Sequence, residues 1–175
     1  EASGLTGMGG AGFPTWRKWE AVRREPSPRV VIVNADEGEP GTIKDRYVME
    51  LRPQLLLEGL AAAMRFCESD EAYIYLREEY PQARRILQQA IAAVRDAGYL
   101  GESICGSAHR FELELRIGAG AYICGEETSL LESLEGKRGV VRAKPPLPAI
   151  AGLFGQPTVV NNVITLATVP VILAR

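Results

Sequence analysis

The chain has 175 residues, of which 46% are hydrophobic and 24% charged, a balance typical of a globular protein with a buried core. The formal net charge of −2 argues against nucleic acid as the main partner. The sequence contains no apolar run long enough to cross a bilayer and no signal peptide, so we expect a soluble, cytoplasmic protein without a membrane span.

The glycine-rich segment 4–19 comes first in chain order and holds five glycines within nine residues, followed by an amphipathic run. Glycines at this density allow positive φ and leave the backbone amides open to a flat or anionic ligand. Pro14 precedes a helix predicted over 16–24, with Thr15 as its expected N-cap and Lys18 in its first turn. Because a helix N-terminus favours phosphate, the segment predicts a cradle for a nucleotide or flavin phosphate, with a flexible tether as the alternative.

Gly7, Gly9 and Gly12 also spell G-x-G-x-x-G, the dinucleotide fingerprint, and the acidic Asp36 follows them. The fingerprint needs a strand immediately before it and a helix that opens at its third glycine. The six residues before Gly7 do not resemble a strand, so this motif alone is weak support for a dinucleotide site.

The later elements alternate between strands and helices. The apolar, β-branched run 29–34 is typical of a strand buried on both faces, and it leads into a polar loop over 35–45. Periodicity then predicts a helix from Pro53 to about Cys67, a strand over 72–76 and a helix that begins at Pro81 and is ended by Gly98. A strand over 111–117 and a helix over 126–134 follow, and after them come a proline-rich loop and a last helix from about Asn161. This order predicts an α/β, layered, Rossmann-like fold with a largely parallel sheet.

Three cysteines (Cys67, Cys105, Cys124) and one histidine, His109, are the residues that would first suggest metal or nucleophile chemistry. The cysteines are far apart, odd in number and without a C-x-x-C pair, which fits a reducing compartment and predicts no metal site. His109 has no second histidine to work with and precedes a predicted strand, so we interpret it as structural.

Four polar or glycine-rich segments lie at predicted strand ends or helix starts: 7–15, 34–41, 118–127 and 160–165. Ligands in α/β proteins bind at the carboxyl ends of parallel strands, so we expect the four segments to meet, although each alone is equally consistent with a solvated turn. Glu126 and Glu127 are adjacent and would face different ways on a helix, so they do not predict a proton-sharing dyad. They suit ribose hydroxyls, which donate hydrogen bonds to carboxylates.

The four segments belong to longer motifs, which read GxGGAGFPTxxKW, NADEGEPGTxKDR, GAGAYICGEETxLLxSLEGxRG and KPPxPAxxGLxGxPTVVNNVxTL. Together they resemble the family of NADH-oxidising flavoprotein subunits of respiratory complex I. Related subunits serve NAD-reducing hydrogenases and NAD-linked formate dehydrogenases. The similarity extends over essentially the whole chain and keeps the order of the motifs.

The resemblance implies an enzyme, an NADH-oxidising or NAD-reducing flavin oxidoreductase, without a catalytic side chain, because FMN carries the chemistry. In that family hydride passes from NADH to FMN, and electrons then leave singly for iron–sulfur clusters. By position, the residues expected to hold FMN are Gly7, Gly9, Gly10, Lys18, Asn34, Asp36, Glu37, Tyr122, Gly125, Glu126, Asn161, Asn162 and Thr165. Those expected to contact NADH are Phe13, Lys18, Glu39 and Glu127.

The family also implies a domain arrangement and partners. Residues 1–175 correspond to the FMN/NADH-binding domain, and members continue into a ubiquitin-like domain and a helical bundle that holds a 4Fe–4S cluster. The three cysteines of this sequence lack ferredoxin spacing, so we expect that cluster only in the missing C-terminal part. The implied partners are NADH, a thioredoxin-like 2Fe–2S subunit and other iron–sulfur subunits of a larger complex, which is soluble or peripheral to a membrane.

The sequence departs from the family pattern at five positions. Met8 stands where arginine is usual, Trp16 replaces a glycine and Ile164 replaces a glutamate. Ala21 and Leu147 replace two phenylalanines that sandwich the adenine, so one aromatic ring of that set remains and we expect lower NADH affinity. These departures favour a formate dehydrogenase or hydrogenase diaphorase over complex I itself.

Two other functions stay open at this point. A regulatory or scaffold module that binds NADH or FMN without turnover would use the same loops as an enzyme. A dehydrogenase with an organic substrate would need a proton-transfer residue, and none lies near a motif, so this alternative ranks last.

Overall fold

The fold of residues 1–174, described here from a computed structural model, is built on one four-stranded sheet in which every pairing is parallel. The strand order is β3-β2-β1-β4, so β1 is central and pairs on both sides. The strands are β1 (Val30–Ala35), β2 (Glu71–Leu76), β3 (Glu112–Ile117) and β4 (Thr158–Asn162). The predicted α/β fold with a largely parallel sheet is confirmed.

In the described part of the chain, six α-helices surround this sheet: α1 (Thr15–Arg23), α2 (Lys44–Leu51), α3 (Pro53–Cys67), α4 (Pro81–Asp96), α5 (Glu127–Leu134) and α6 (Val163–Leu173). Proline occupies the first position of α3 and of α4, where its missing N–H has no intrahelical partner to lose. None of the helices described has the length and apolarity that a bilayer crossing requires.

Each face of β1 supports a separate core. Val31 and Val33 face the layer of α3, α4 and α6, whereas Val30 and Ile32 face α5 and its neighbours. Alternate residues of a strand point to opposite faces, so a central strand with a layer on each side is apolar throughout. The continuous apolar run in the sequence is explained by this double burial.

Helices α3 and α6 approach closely at Gly59. A Cβ added to Gly59 would lie 1.9 Å from the carbonyl oxygen of Leu166, a distance that no side chain tolerates. A glycine inside a helix costs about 1 kcal/mol relative to alanine. Here that cost is offset by the close contact of the two helices.

Two elements differ from the prediction. The polar loop predicted over 35–45 ends at α2, because Glu37 accepts hydrogen bonds from the backbone N–H groups of Asp45 (2.9 Å) and Arg46 (3.2 Å) and so satisfies the helix start. The sequence pattern places Thr158–Asn162 partly in a loop and partly in the last helix, but this segment forms β4. Asn162 then caps α6 by accepting from the N–H of Ile164 at 3.0 Å.

The start of α1 also differs from the prediction. Pro14 holds the N-cap position and Thr15 is the first helical residue, with its hydroxyl buried and unpaired. The glycine loop (residues 7–13) is closed by a bridge between Thr6 and Pro14 and by a 2.9 Å bond from the N–H of Gly7 to the carbonyl of Phe13. No strand precedes Gly7 within residues 1–174, so the context that the dinucleotide fingerprint requires is not met there.

Candidate functional site

A cleft of about 790 Å³ lies at the carboxyl ends of β1 and β4. All four segments predicted to meet contribute to its wall, and so do one face of α1 and the proline-rich loop before β4. Parallel strands bring their carboxyl ends to one edge of a sheet, which explains why motifs far apart in sequence converge there.

Most of the residues predicted to hold FMN or NADH line this cleft: Gly7, Gly9, Phe13, Lys18, Asn34, Asp36, Glu37, Glu39, Tyr122, Gly125, Glu126, Glu127, Asn161 and Asn162. Two predicted residues do not line it. Gly10 is exposed in the glycine loop, with a φ of +114° that suits only glycine. Thr165 is fully buried in α6 and accepts a hydrogen bond at Oγ1 from the N–H of Met8 at 2.9 Å.

The glycine loop is fixed to the first turn of α6. Besides the bond between Met8 and Thr165, a Cβ added to Gly9 would lie 3.5 Å from the Cβ of Asn162, which is ordinary contact distance. The loop therefore faces Asn162 and is tied to Thr165, so its position depends on where β4 ends and α6 begins.

Lys18, predicted to meet the flavin, is engaged with protein groups in this structure. Its Nζ donates to Glu127 Oε2 at 3.2 Å and to the carbonyl of Val160 at 3.0 Å. Lys144 holds the other oxygen of Glu127 at 2.8 Å. Burial raises the pKa of the Glu127 carboxyl, but the two ammonium groups outweigh burial and leave that pKa below its ordinary value.

Glu126 has a different role from its neighbour. It is the N-cap of α5, and Oε2 accepts from the backbone N–H groups of Thr128 (2.8 Å) and Ser129 (3.0 Å). Its other oxygen lies 3.2 Å from Lys144 Nζ. The two adjacent carboxylates thus share Lys144, but Glu126 also caps α5 whereas Glu127 also pairs with Lys18.

Arg142 anchors the loop that carries Lys144. Its guanidinium donates to the carbonyl of Gly152 at 2.8 Å and pairs with Glu135 at 2.7 Å. The backbone N–H of Arg142 donates to Thr128 Oγ1 at 2.9 Å. Burial raises the pKa of Glu135, but nearby cationic groups and a backbone N–H lower it to about 2. The proline-rich loop is consequently held against α5 by charge as well as by packing.

Asp36 presents an unsatisfied oxygen in the cleft wall. Its Oδ2 is buried and has no hydrogen-bond partner, and a Cβ added to Gly125 would lie 3.8 Å from it. Burial raises the pKa of Asp36 to about 6, against the opposing effect of Arg77. A buried acceptor without a partner fits a ligand that carries N–H donors, as the flavin ring does.

Asn34 and Glu37 bind the framework as well as lining the cleft. Asn34 donates to the carbonyl of Gly125 at 2.8 Å and accepts from the N–H of Asp36 at 3.1 Å, which joins the end of β1 to the turn before α5. Glu37 is 6% exposed and, besides the start of α2, accepts from the hydroxyl of Tyr80 at 3.0 Å. Both side chains are therefore fixed by protein contacts.

Glu39 and Tyr122 join two loops at the cleft. The Tyr122 hydroxyl donates to Glu39 Oε2 at 2.6 Å, and this hydrogen bond raises the pKa of the phenol. Gly38 allows the contact, because a Cβ there would lie 3.0 Å from the Tyr122 ring. Both partners are exposed, so the contact is accessible to an entering ligand.

The cleft residues that were not singled out from the sequence include Lys44, Asp45 and Lys144. The available signal was their position inside the second and fourth motifs, as KDR and KPP. The positions of the two replaced phenylalanines, Ala21 and Leu147, line the same cleft as Phe13.

A second hollow of about 700 Å³ lies on the opposite face of α1. Its wall includes Trp16, Trp19 and Phe66 and none of the predicted ligand loops other than the start of α1. Trp19 connects it to the cleft, because the indole N–H donates to Asn161 Oδ1 at 2.7 Å.

Comparisons with known proteins point to one family. Residues 1–171 match the family described as the Nuo51 FMN-binding domain. The chain is 51% identical, over 99% of its length, to the mitochondrial NADH dehydrogenase (ubiquinone) flavoprotein 1 of Dictyostelium discoideum, of which it covers 37%. Over its whole length it is 48% identical to an Aspergillus niger protein, the mitochondrial NADH-ubiquinone oxidoreductase 51 kDa subunit, of which it covers 36%.

A solved structure of an NAD+-reducing NiFe-hydrogenase in the H2-reduced state has the same fold. The two chains superpose with a TM-score of 0.91 and are 46% identical in sequence. The match covers 99% of this chain and 29% of the hydrogenase chain. The chain thus spans less than two fifths of the length of these relatives.

Proposed function

Because this chain belongs to the family of the Nuo51 FMN-binding domain, we propose that it is the NADH dehydrogenase, or diaphorase, module of a larger redox complex. Its reaction is hydride transfer between NAD(H) and FMN, with electrons then passed singly to iron–sulfur partners. The observation that carries the proposal is the convergence of four motifs in one cleft, whose wall includes Asp36 with its unpaired carboxylate oxygen.

Bound FMN supplies what side chains lack, since it takes up a hydride and gives up electrons one at a time. The chain's own task is to bind and orient. The residues that would hold FMN are Gly7, Gly9, Lys18, Asn34, Asp36, Tyr122, Gly125, Glu126, Asn161 and Asn162, with Gly10 shaping the glycine loop and Glu37 and Thr165 supporting the wall.

The NADH side of the cleft would be formed by Phe13, Glu39 and Glu127 together with Lys18. Phe13 is 48% exposed and offers a ring for stacking. Glu127 is positioned by two ammonium groups, so its carboxylate is ionised and able to accept hydrogen bonds from ribose hydroxyls. The exposed hydrogen bond between Glu39 and Tyr122 would open or rearrange as the dinucleotide enters.

We place the module in an assembly of the complex I, NAD-reducing hydrogenase or NAD-linked formate dehydrogenase type. The names of the relatives support the first two. Residues 1–175 would be the FMN/NADH-binding domain. The remaining length of the relatives, which this chain does not cover, would contain the ubiquitin-like domain and the 4Fe–4S cluster. A thioredoxin-like 2Fe–2S subunit and other iron–sulfur subunits would receive the electrons. The assembly would lie in the cytoplasm, either soluble or peripheral to a membrane.

The test is a flavin spectrum. The chain, purified and reconstituted with FMN, should show one FMN per chain, and NADH should bleach the flavin absorption in the absence of oxygen. Glu58→Ala, exposed on α3, is the control and should behave like the wild type. A bound flavin that NADH does not bleach would contradict turnover and would favour the alternative of a module that binds FMN without catalysis. Release of FAD on denaturation would contradict the cofactor.

A further inference from the structure

Asp45, in the first turn of α2, is a buried carboxylate that joins three parts of the cleft. It is 2% exposed. Its Oδ2 accepts from Asn162 Nδ2 at 2.7 Å and its Oδ1 from Lys44 Nζ at 2.8 Å. Its backbone N–H donates to Glu37 Oε1 at 2.9 Å. The second and fourth motifs are thus linked directly through one carboxylate.

The contact with Asp45 fixes the orientation of the Asn162 amide. Asn162 Oδ1 accepts from the N–H of Ile164 at 3.0 Å as the cap of α6, while Nδ2 donates to Asp45. An ionised carboxylate only accepts hydrogen bonds, so the reversed amide would set two acceptors against each other. Asp45 therefore selects the one orientation in which Asn162 can cap α6.

The glycine loop depends on this capped turn. The position that a Cβ of Gly9 would occupy lies 3.5 Å from the Cβ of Asn162, so Gly9 faces Asn162, and the N–H of Met8 is bonded to Thr165 one turn further on. A shift of Asn162 would move both supports of the loop. The chain of contacts runs from Asp45 through Asn162 to the backbone of the glycine loop.

We propose that Asp45 is a positioning residue for FMN, which holds Asn162 and through it the glycine loop in the arrangement that binds the cofactor. This inference rests on the proposed function. Asp45 lines the cleft but has both carboxylate oxygens engaged by protein groups, so it acts through Asn162 rather than by its own contact with the cofactor.

The ion pair with Lys44 does not explain the burial of Asp45. The Lys44 side chain is 39% exposed, and ion pairs with an exposed partner contribute little. Loss of the Asn162 contact, by contrast, leaves a partly buried amide donor without a partner, which is the costly outcome. The Asn162 contact is therefore the one on which the glycine loop depends.

The test is the dissociation constant for FMN, measured by quenching of flavin fluorescence on the full chain. Asp45→Ala should weaken FMN binding by about tenfold, the factor expected for a hydrogen bond to a charged group. Because Asp45 acts through Asn162, the double variant Asp45→Ala/Asn162→Ala should bind FMN no more weakly than Asn162→Ala alone. Additive losses would overturn the inference, as would unchanged binding in Asp45→Ala.

A conservative variant separates positioning from general destabilisation. Asp45→Asn keeps an acceptor for Asn162 Nδ2 and should bind FMN within about threefold of the wild type. A loss as large as that of Asp45→Ala would contradict the inference. The control is Glu50→Gln, which removes the negative charge that is paired with Arg46 Nε (2.9 Å) on the same helix and should leave FMN binding unchanged.

Three further outcomes are distinguishable. If Asp45→Ala does not fold, Asp45→Ser takes its place, since serine is tolerated at a helix start and its hydroxyl is too short to reach Asn162. If the wild-type chain binds no FMN, the proposed function fails and this inference fails with it. If the wild type binds FMN and the Asp45 variants bind it equally well, only the inference is wrong.

Discussion

Glu127 is held between Lys18 and Lys144, and this changes what the residue can do in cofactor selection. A bare carboxylate near the adenosine ribose would reject the 2′-phosphate of NADPH by like-charge repulsion. With two ammonium groups beside Glu127, the local charge is compensated and the repulsion is weaker than the sequence suggests. We therefore expect the selectivity for NADH over NADPH to depend on all three residues.

We expect the wild type to prefer NADH and the variant Glu127→Gln to narrow that preference. The variant frees both ammonium groups for a phosphate, so the gain should come mainly from better use of NADPH, on the order of tenfold in kcat/KM. Kinetic constants for both cofactors check this prediction. Equal use of NADPH by the wild type would remove Glu127 from this role, and an unchanged preference in the variant would direct attention to Glu39.

Asp36 makes the stability of the cofactor-free chain depend on pH. The folded-state pKa of about 6 lies above the ordinary 3.8 because burial disfavours the charged carboxylate. The folded state therefore binds the proton more tightly than the unfolded state, and the free energy of unfolding falls as pH rises from about 3.8 to about 6.

The neutral variant Asp36→Asn should lose this pH dependence. It should be more stable than the wild type at about pH 7 and differ little from it at about pH 4. Urea midpoints at the two pH values measure the effect, and Asp70→Asn, at an exposed site, is the control. If the difference in stability between Asp36→Asn and the wild type were the same at both pH values, Asp36 would not be held in an unfavourable charged state.

At the scale of elements, the sequence predicts best those that carry their own boundary signals. Helices α3 and α4 begin at Pro53 and Pro81 as expected, and the helix predicted over 16–24 is found at Thr15–Arg23. Strand β4 was missed because it is five residues long, runs directly into α6 and exists through its parallel pairing with β1. Helix α2 was missed because its start is satisfied by Glu37, which lies eight and nine residues before the two N–H groups that it binds.

The candidate site shows the same division. Motif positions indicated most of the predicted residues that line the cleft, Gly10 and Thr165 excepted, since the motifs follow strand ends. That these residues hold FMN or NADH stays a prediction. The motif positions did not indicate that Lys18 would be bound to Glu127, nor that Asp45 would hold Asn162, because these partners lie more than a hundred residues apart. Such pairings depend on the order of strands in the sheet, which local patterns do not encode.

The close contact of α3 with α6 yields a prediction about stability. Gly59→Ala gains about 1 kcal/mol in helix propensity. Its Cβ, however, would lie 1.9 Å from the Leu166 carbonyl oxygen, and overpacking of this kind costs about 1–3 kcal/mol or more. We expect net destabilisation in thermal or urea unfolding, whereas the neighbouring exposed Glu58→Ala should stay within about 0.5 kcal/mol of the wild type. A stabilised Gly59→Ala would show that the two helices can move apart freely.

At the scale of the whole molecule, the resemblance read from the motifs is confirmed by the family match over residues 1–171. The expected preference for a formate dehydrogenase or hydrogenase assembly over complex I stays a prediction. The replaced aromatic positions, which motivated it, do lie in the cleft, so they can affect how NADH binds.

The isolated chain should carry flavin but no iron–sulfur cluster. Residues 1–174 contain no group of three or more histidine, cysteine, aspartate or glutamate side chains that could hold a metal ion. Cys67 and Cys124 are buried, and Cys105 is exposed. We expect NADH-dependent reduction of ferricyanide without onward transfer, and iron and acid-labile sulfide assays should find neither in stoichiometric amount. Stoichiometric iron would contradict our interpretation of the cysteines.

The support of the glycine loop by Asn162 and Thr165 has a consequence for biosynthesis. On the ribosome the loop emerges early, whereas β4 and the first turn of α6 emerge more than a hundred residues later. Until then β1 lacks one of its two neighbours and the loop has nothing to rest on. We therefore expect a nascent chain that ends before Thr165 not to retain FMN, and cofactor loading to follow translation of this segment instead of accompanying it.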